Sequence, residues 1–235
     1  MAQFRDSHEQ YGSKKLAPWL KEKYQQVKGD IREDLRKAVE LLSQQINRWG
    51  AIPYLEIEAR LGFFDEDEDG GLTGPFDSDV DFANYNSIME TLRKDTDILE
   101  IKETNTTDYF LGGGCRLSID SDKGSRLAVR KKVLEHSNFH YKNSPFDIRV
   151  SFSQEQPVDV SKCEAPKKSS VQRKKKRTSF YTNHWRYDLT RVEEMKEGIA
   201  VVKHQVEVEA RLENIPYVDY VYMADSLLLK IRKIT

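Results

Sequence analysis

Cysteine is scarce. Cys115 and Cys163 are the only two in 235 residues, and they form no close-spaced pair. That excludes a disulfide framework and a thiolate zinc site, and it suits a reducing compartment. No stretch approaches the ~18 consecutive apolar residues of a membrane-crossing helix. The opening Met-Ala-Gln-Phe-Arg-Asp also lacks a signal-like apolar segment, so the expectation is a soluble intracellular protein with no membrane partner. A surplus of one sign of charge is missing too. Lys and Arg number 38 against 39 Asp and Glu, a formal net charge of −1. Net charge therefore names no partner, and only the distribution of charge can. His136, His140, His184 and His204 have no metal-like spacing with one another. The acidic tract at 65–81 lacks the twelve-residue calcium-loop pattern that ends in Glu.

What is present is a phrase stated twice. Leu55-Glu56-Ile57-Glu58-Ala59-Arg60-Leu61 returns as Val206-Glu207-Val208-Glu209-Ala210-Arg211-Leu212. Both copies alternate apolar and charged residues with period two, the pattern of a β-strand. In each, two Glu and one Arg share a face opposite the aliphatic residues. If the charged faces meet, four carboxylates converge. At ~4 Å and an effective dielectric of ~20, each pair would repel by about 4 kcal/mol. Such a cluster must be protonated or must hold a cation, and the second option is a metal site.

Around this phrase the chain is long enough for one large domain or two small ones. Residues 1–15 read as a flexible tail. From 16 to 49 apolar residues recur at three- and four-residue steps, predicting an amphipathic helix stopped by Gly50 and Pro53. The tract at 65–81 holds no basic residue and four glycines or prolines, which reads as an acidic loop. A short helix with Tyr85, Ile88 and Leu92 on one side follows. Ile98–Glu103 and Thr106–Leu111 read as a hairpin around Asn105. Strands then follow near 115–120, 127–133, 148–155, 173–181 and 184–190. A linker is expected at 156–172, a helix-prone stretch at Glu193–Glu197, a last long strand at Ile199–Leu212 and a closing helix at 226–234.

About eight strands thus carry one apolar and one charged face. A flat sheet could show its charges to water, or the sheet could close with its charges inside and its apolar face covered by helices. The signs segregate, with carboxylates on the first and last strands and basic groups on the middle ones, which favours closure. The expected fold is α+β: a closed antiparallel eight-stranded β-barrel with a polar interior and helices packed outside, spanning 16–235 as one domain with barrel strands at 54–212.

Glu-x-Glu on a first strand, basic middle strands, Arg173-x-Lys175-x-Arg177, Arg186-x-Asp188-x-Thr190 and a closing Glu-x-Glu resemble the triphosphate tunnel metalloenzymes. Within them the chain is similar to the metal-dependent mRNA 5′-triphosphatases of fungi and protozoa. The resemblance implies that Glu58, Glu207 and Glu209 touch a Mn2+ or Mg2+ ion directly, with Glu56 acting through metal-bound water. It places Arg116, Lys132 and Arg149 in the tunnel as successive basic residues, with Arg130 and Lys131 as neighbours competing with Lys132. It makes Arg173, Lys175, Arg177, Arg186, Asp188 and Thr190 part of the catalytic wall, and Glu155 the residue that orients the attacking water. One departure is Gln205, where fungal members carry a third acidic residue, which removes one negative charge. The implied substrate is triphosphate-ended RNA in the nucleus, with nucleoside triphosphates as an alternative. No nucleotidyl-lysine motif is recognisable, so a guanylyltransferase would be a separate polypeptide, and oligomeric state stays open.

Other readings remain. Arg173–Arg177 could serve nuclear import or nonspecific RNA binding, and by alternation Lys174 and Lys176 point away from the tunnel and could still do so. A tunnel enzyme for inorganic tripolyphosphate or thiamine triphosphate uses the same chemistry. A noncatalytic polyphosphate- or RNA-binding module is the third reading, opposed by intact acidic pairs and Glu155.

Overall fold

The computed structural model describes residues 30–66, 72–140, 144–163, 172–196, 199–214 and 219–235. The chain divides into two compact units, Met1–Ala38 and Val39–Thr235. The described part of the first is the start of helix α1 (Asp30–Trp49), so the expected tail at 1–15 and the helical stretch at 16–29 lie outside the described residues. Among the described residues the second unit holds nine strands: β1 (Leu55–Glu66), β2 (Leu72–Asp77), β3 (Glu100–Gly112), β4 (Cys115–Asp120), β5 (Arg126–Phe139), β6 (Asp147–Pro157), β7 (Gln172–Tyr181), β8 (Trp185–Lys196) and β9 (Ile199–Ala210). Helices α2 (Phe82–Arg93) and α3 (Tyr220–Arg232) complete it.

Eight of the strands close on themselves in the order β1-β6-β5-β4-β3-β7-β8-β9, with β9 returning to β1, and every pairing is antiparallel. Closure is made by Glu58↔Glu209, Ala59↔Val208 and Arg60↔Glu207. The two copies of the repeated phrase are therefore neighbours. Strand β2 stands outside the ring as an extra ribbon folded back on β1.

The barrel puts its apolar side outward under helices. Trp185, Tyr187, Phe152 and Phe180 are each under 2% exposed. Each such aromatic hides ~150–250 Å², an upper-bound stabilisation of roughly 4–6 kcal/mol at ~25 cal/mol/Å². That dwarfs the ~0–1 kcal/mol of an exposed ion pair, so burial of this face decides which way the sheet curls. Helix α3 covers β8 and β9 through Met223, Ala224, Leu227, Leu228 and Ile231, with Trp185 Nε1 donating to Ser226 Oγ at 2.8 Å. Asp219 caps this helix by accepting from the Tyr222 amide, and Asp81 caps α2 from Asn84. At the end of α1, Trp49 Nε1, Gln45 Nε2 and Arg48 Nη1 all donate to the Glu135 carboxylate of β5, at 2.7, 2.9 and 3.1 Å.

Several local expectations are corrected. No hairpin forms at Asn105, since β3 runs unbroken through it and Asn105 pairs with Lys176 in mid-strand. The β-branched Thr104, Thr106 and Thr107 favour extension there. The turn falls instead at Gly112, Gly113 and Gly114, whose φ values of 84°, 55° and 71° suit glycine alone among common residues. Glu193–Lys196 is strand, because pairing with Val201 and Val202 of β9 overrides helix propensity. The acidic tract is not simply a loop: β1 runs to Glu66, 67–71 lie outside the described residues, and β2 follows. The stretch at 156–163 ends β6 and adds a short turn at Val160–Lys162, while 164–171 lie outside the described residues. Helix α3 begins at Tyr220, six residues before 226 and just after its Asp219 cap.

Candidate active site

Strand register fixes which side chains share the inner face. From β1 it takes Glu56, Glu58 and Arg60, from β9 Gln205, Glu207 and Glu209, from β8 Arg186, Asp188 and Thr190, and from β7 Arg173, Lys175 and Arg177. Asp108 of β3, Arg116 of β4, Lys131 of β5 and Ser151, Ser153 and Glu155 of β6 share that wall.

At the seam the carboxylates of Glu56, Glu58 and Glu209 lie with ligand oxygens within 4.8 Å of one another. Glu58 and Glu209 are directly opposite in the ladder, a like-charge pairing that a sheet ordinarily avoids. Burial, reinforced by Glu58, raises Glu56 to about 7. Burial raises Glu209 to about 8 against the pull of Arg186, and Glu58 is raised by burial and by Glu207. These groups resist ionising together without a cation, and all three offer hard oxygen donors. That donor set fits a divalent cation of the magnesium or manganese kind.

Glu207 is held differently. Its oxygens pair with Arg60 Nε at 2.8 Å and Arg177 Nη2 at 3.2 Å. Burial alone would raise it, but Arg60 and Arg177 outweigh burial and pull it down to about 2. Glu207 thus anchors two arginines, and the structure brings Glu56 rather than Glu207 to the acidic cluster. Arg177 is further fixed by Thr190 Oγ1, which accepts from its Nε at 2.9 Å, and by Asp188 Oδ2, which accepts from Nη1 at 2.7 Å. Asp188 also accepts from Arg186 Nε and from Ser179 Oγ. Asp188 and Thr190 therefore aim the guanidinium groups.

Facing the acids is a group of cations. Lys175 pairs with Asp108 at 2.6 Å, and Arg116 reaches Glu155 at 3.3 Å. Lys131 pairs with Glu56 and lies 3.5 Å from Glu155 Oε1. Burial pushes Glu155 up, yet Arg116 and Lys131 outweigh it and leave the carboxyl below its ordinary value. Glu155 is consequently a carboxylate at neutral pH, ready to accept a hydrogen bond.

Lys132 is corrected: it is exposed and pairs with Gln154 on the outer face, with Arg130 exposed beside it, while Lys131 enters the tunnel. Arg149 is on the inner face but sits apart from the acidic cluster. Its guanidinium lies 5.3 and 4.7 Å from the rings of Phe64 and Phe76, and its Nε donates to Asn138. Arg173 pairs with Glu194 at 2.9 Å toward the same end of the barrel. There a cavity of about 230 Å³ is lined by Arg60, Phe76, Ser78, Arg173, Lys203 and Gln205 among others. Sequence reasoning gave no role to Arg60 or Asp108, and held Lys131 only as a competitor of Lys132. Arg60 was legible, being in phase with Glu56 and Glu58.

The family model for the beta chain of mRNA capping enzyme matches residues 67–221. The mRNA-capping enzyme subunit beta of Yarrowia lipolytica is 29% identical over 118 residues, 45% of this chain. The match spans only 30% of that relative's length. Among solved structures, the S. pombe Pct1 RNA triphosphatase superposes with a TM-score of 0.70 at 19% identity, covering 83% of this chain and 91% of that one. The mimivirus capping enzyme triphosphatase superposes with a TM-score of 0.54 at 16% identity, covering 85% and 97%. Both have the same closed barrel fold.

Proposed function

Because the chain belongs to the family of mRNA capping enzyme beta chains, we propose that it is a polynucleotide 5′-phosphatase. It hydrolyses the γ-phosphate of triphosphate-ended RNA, leaving diphosphate-ended RNA and inorganic phosphate. The observation that carries this reading is the meeting, inside one closed barrel, of the Glu56, Glu58 and Glu209 carboxylates with Arg116, Lys131, Lys175 and Arg177. Tunnel metalloenzymes require a divalent cation, and here Mn2+ or Mg2+ held by those three carboxylates would neutralise charge on the phosphoryl oxygens.

The chain's own residues do the rest. Phosphoryl transfer asks chiefly for positioning and charge neutralisation in a site shielded from bulk water. Arg177, clamped by Thr190, Asp188 and Glu207, offers a preorganised guanidinium for two phosphate oxygens. Lys175, buried among charges, supplies a point charge beside it. Arg116 and Lys131 hold Glu155 ionised, so that it orients the attacking water and takes its proton. Gln205, whose amide donates to Ser78 Oγ at 2.9 Å, leaves the acidic wall one charge short at that position. The reaction belongs in the nucleus, with guanylyl transfer as the next step, and nucleoside triphosphates are alternative substrates.

The test is release of phosphate from γ-labelled triphosphate-ended RNA, titrated with Mg2+ and Mn2+, beside free tripolyphosphate and ATP. Catalytic efficiency on RNA should exceed that on tripolyphosphate. Tight RNA binding with no turnover under either metal would overturn the reading in favour of a binding module.

A further inference from the structure

A row of inner-face positions crosses five adjacent strands. Glu58 of β1 faces Glu209 of β9, Glu209 faces Arg186 of β8, Arg186 faces Tyr181 of β7, and Tyr181 faces Glu100 of β3. The row starts at the acidic cluster and ends at one rim of the barrel, because β3 begins at Glu100, β7 ends at Tyr181 and β9 ends at Ala210. Two more cations gather there. Lys102 Nζ and Arg211 Cζ lie 5.0 and 5.3 Å from the centroid of the Tyr181 ring. Arg211 Nη1 is tethered to the Thr182 carbonyl at 2.7 Å. Their carboxylate partners compete weakly. Lys102 pairs with Glu100 where both side chains are half exposed, and Arg211 pairs with Glu213, which is 68% exposed. Pairs so wet contribute little, and a phosphodiester can replace them at small cost.

The opposite rim differs. Arg173 is paired with Glu194, whose side chain is only 7% exposed, and Arg60 is committed to Glu58 and Glu207. The segment after β2 lies along β9 there. Asp77 pairs with Lys203 at 2.8 Å, Ser78 accepts from Gln205, Asp79 accepts from the His204 amide, and the Val80 amide donates back to the His204 carbonyl. At that rim Arg173 and Arg60 are tied to carboxylates no more than 7% exposed, Lys203 meets the more exposed Asp77, and Arg149 stacks on Phe64 and Phe76.

We infer that triphosphate-ended RNA enters through the Tyr181 rim, with Lys102 and Arg211 gripping the phosphodiester backbone of the first nucleotides while the triphosphate lies deeper, against Arg177 and Lys175. This rests on the RNA phosphatase reading and adds what separates RNA from free tripolyphosphate. Tyr181 holds both cations in place, and the row through Arg186 sets their distance from the acidic cluster.

The experiment compares Lys102→Ala, the double variant Lys102→Ala/Arg211→Ala, and Lys203→Ala at the far rim. Each is assayed on triphosphate-ended RNA and on tripolyphosphate across a salt series. The double variant should raise KM for RNA about tenfold and flatten the slope of log affinity against log salt by ~1.4, at ~0.7 per phosphate contact on a single strand. Its kcat and KM on tripolyphosphate should be unchanged, which also shows that it is folded. Lys203→Ala should match wild type on both substrates. Lys102→Ala alone, which breaks no backbone contact, should give part of the effect. Equal losses on both substrates, or an RNA defect in Lys203→Ala and none in the double variant, would overturn the entry route. A wild-type protein that cleaves tripolyphosphate but not RNA would instead refute the underlying function.

Discussion

Adjacent lysines on β5 give the sharpest test of the inner wall. Lys131 Nζ lies 3.5 Å from Glu155 Oε1 and also pairs with Glu56, whereas Lys132 is exposed on the outer face. At 3.5 Å and an effective dielectric of ~20, the Lys131–Glu155 attraction is about 5 kcal/mol. The Lys131 side chain is 26% exposed, so solvent screens part of that, and ~3–4 kcal/mol is a reasonable share. Because Lys131 also faces the phosphoryl site, deleting its charge should lower kcat by roughly 10²- to 10³-fold, the size seen when one preorganised charge-stabilising group is removed. Lys131→Met keeps the unbranched stem and removes the charged ammonium. The assay is steady-state phosphate release from triphosphate-ended RNA with saturating Mn2+, with far-UV circular dichroism as a check on folding. Lys132→Met should stay within about twofold of wild type. A fully active Lys131→Met beside an inactive Lys132→Met would show that β5 has the opposite register from the one described.

Further outcomes follow from the same geometry. Glu58→Ala and Glu209→Ala should abolish turnover and weaken Mn2+ binding by calorimetry while the fold persists. Retained binding in either would remove that residue from the cation site. A Cβ on Gly62 would sit 2.2 Å from the Asp77 carbonyl oxygen. Gly62→Ala should therefore push β2 off β1 and lower stability by about 1–3 kcal/mol in urea denaturation. Glu135 is held below its ordinary value by hydrogen bonds from Trp49, then Gln45, against burial. A carboxyl depressed in the folded state contributes stability above its unfolded pKa, near 4.5, and loses it as pH falls through the folded value. Glu135→Gln should accordingly flatten the dependence of Tm on pH below about 4.5. An unchanged slope would mean that the carboxylate is not clamped by α1.

How much of this was written in the chain varies strand by strand. The two copies of the repeated phrase read correctly because Ile57, Ala59, Val206 and Val208 are all buried on the outer face. Alternation there reports the environment faithfully. On β5 the rule that apolar means outside and charged means inside fails. Val129 shares the inner face with Lys131, while Arg130 and Lys132 are exposed on the outer one. Farther along, a register shift between Val133 and Glu135 turns Glu135 outward to meet α1. Neither the uncovered patch nor the bulge has a mark in composition. That the carboxylates drawn closest together are Glu56, Glu58 and Glu209, with Glu207 held by arginines, was beyond sequence reasoning for another reason. All four glutamates share the period-two pattern, and only the closing register decides which arginines each meets: Arg60 lies 2.6 Å from Glu58 and 2.8 Å from Glu207, and Arg177 adds a second partner to Glu207. Asn105 misled because a turn-prone residue in mid-strand is rescued by ladder pairing that only the assembled sheet provides.

The seam joining β1 to β9 has a consequence for biogenesis. Its halves are a whole barrel apart along the chain, so Glu58 waits for every other barrel strand before Glu209 arrives to face it. Closing so distant a contact is entropically slow, and until it happens the three-carboxylate pocket does not exist. A divalent ion thus has nothing specific to grip on a nascent chain. It can only fasten a ring already shut, like a clasp, favouring the finished protein over every unzipped intermediate by mass action.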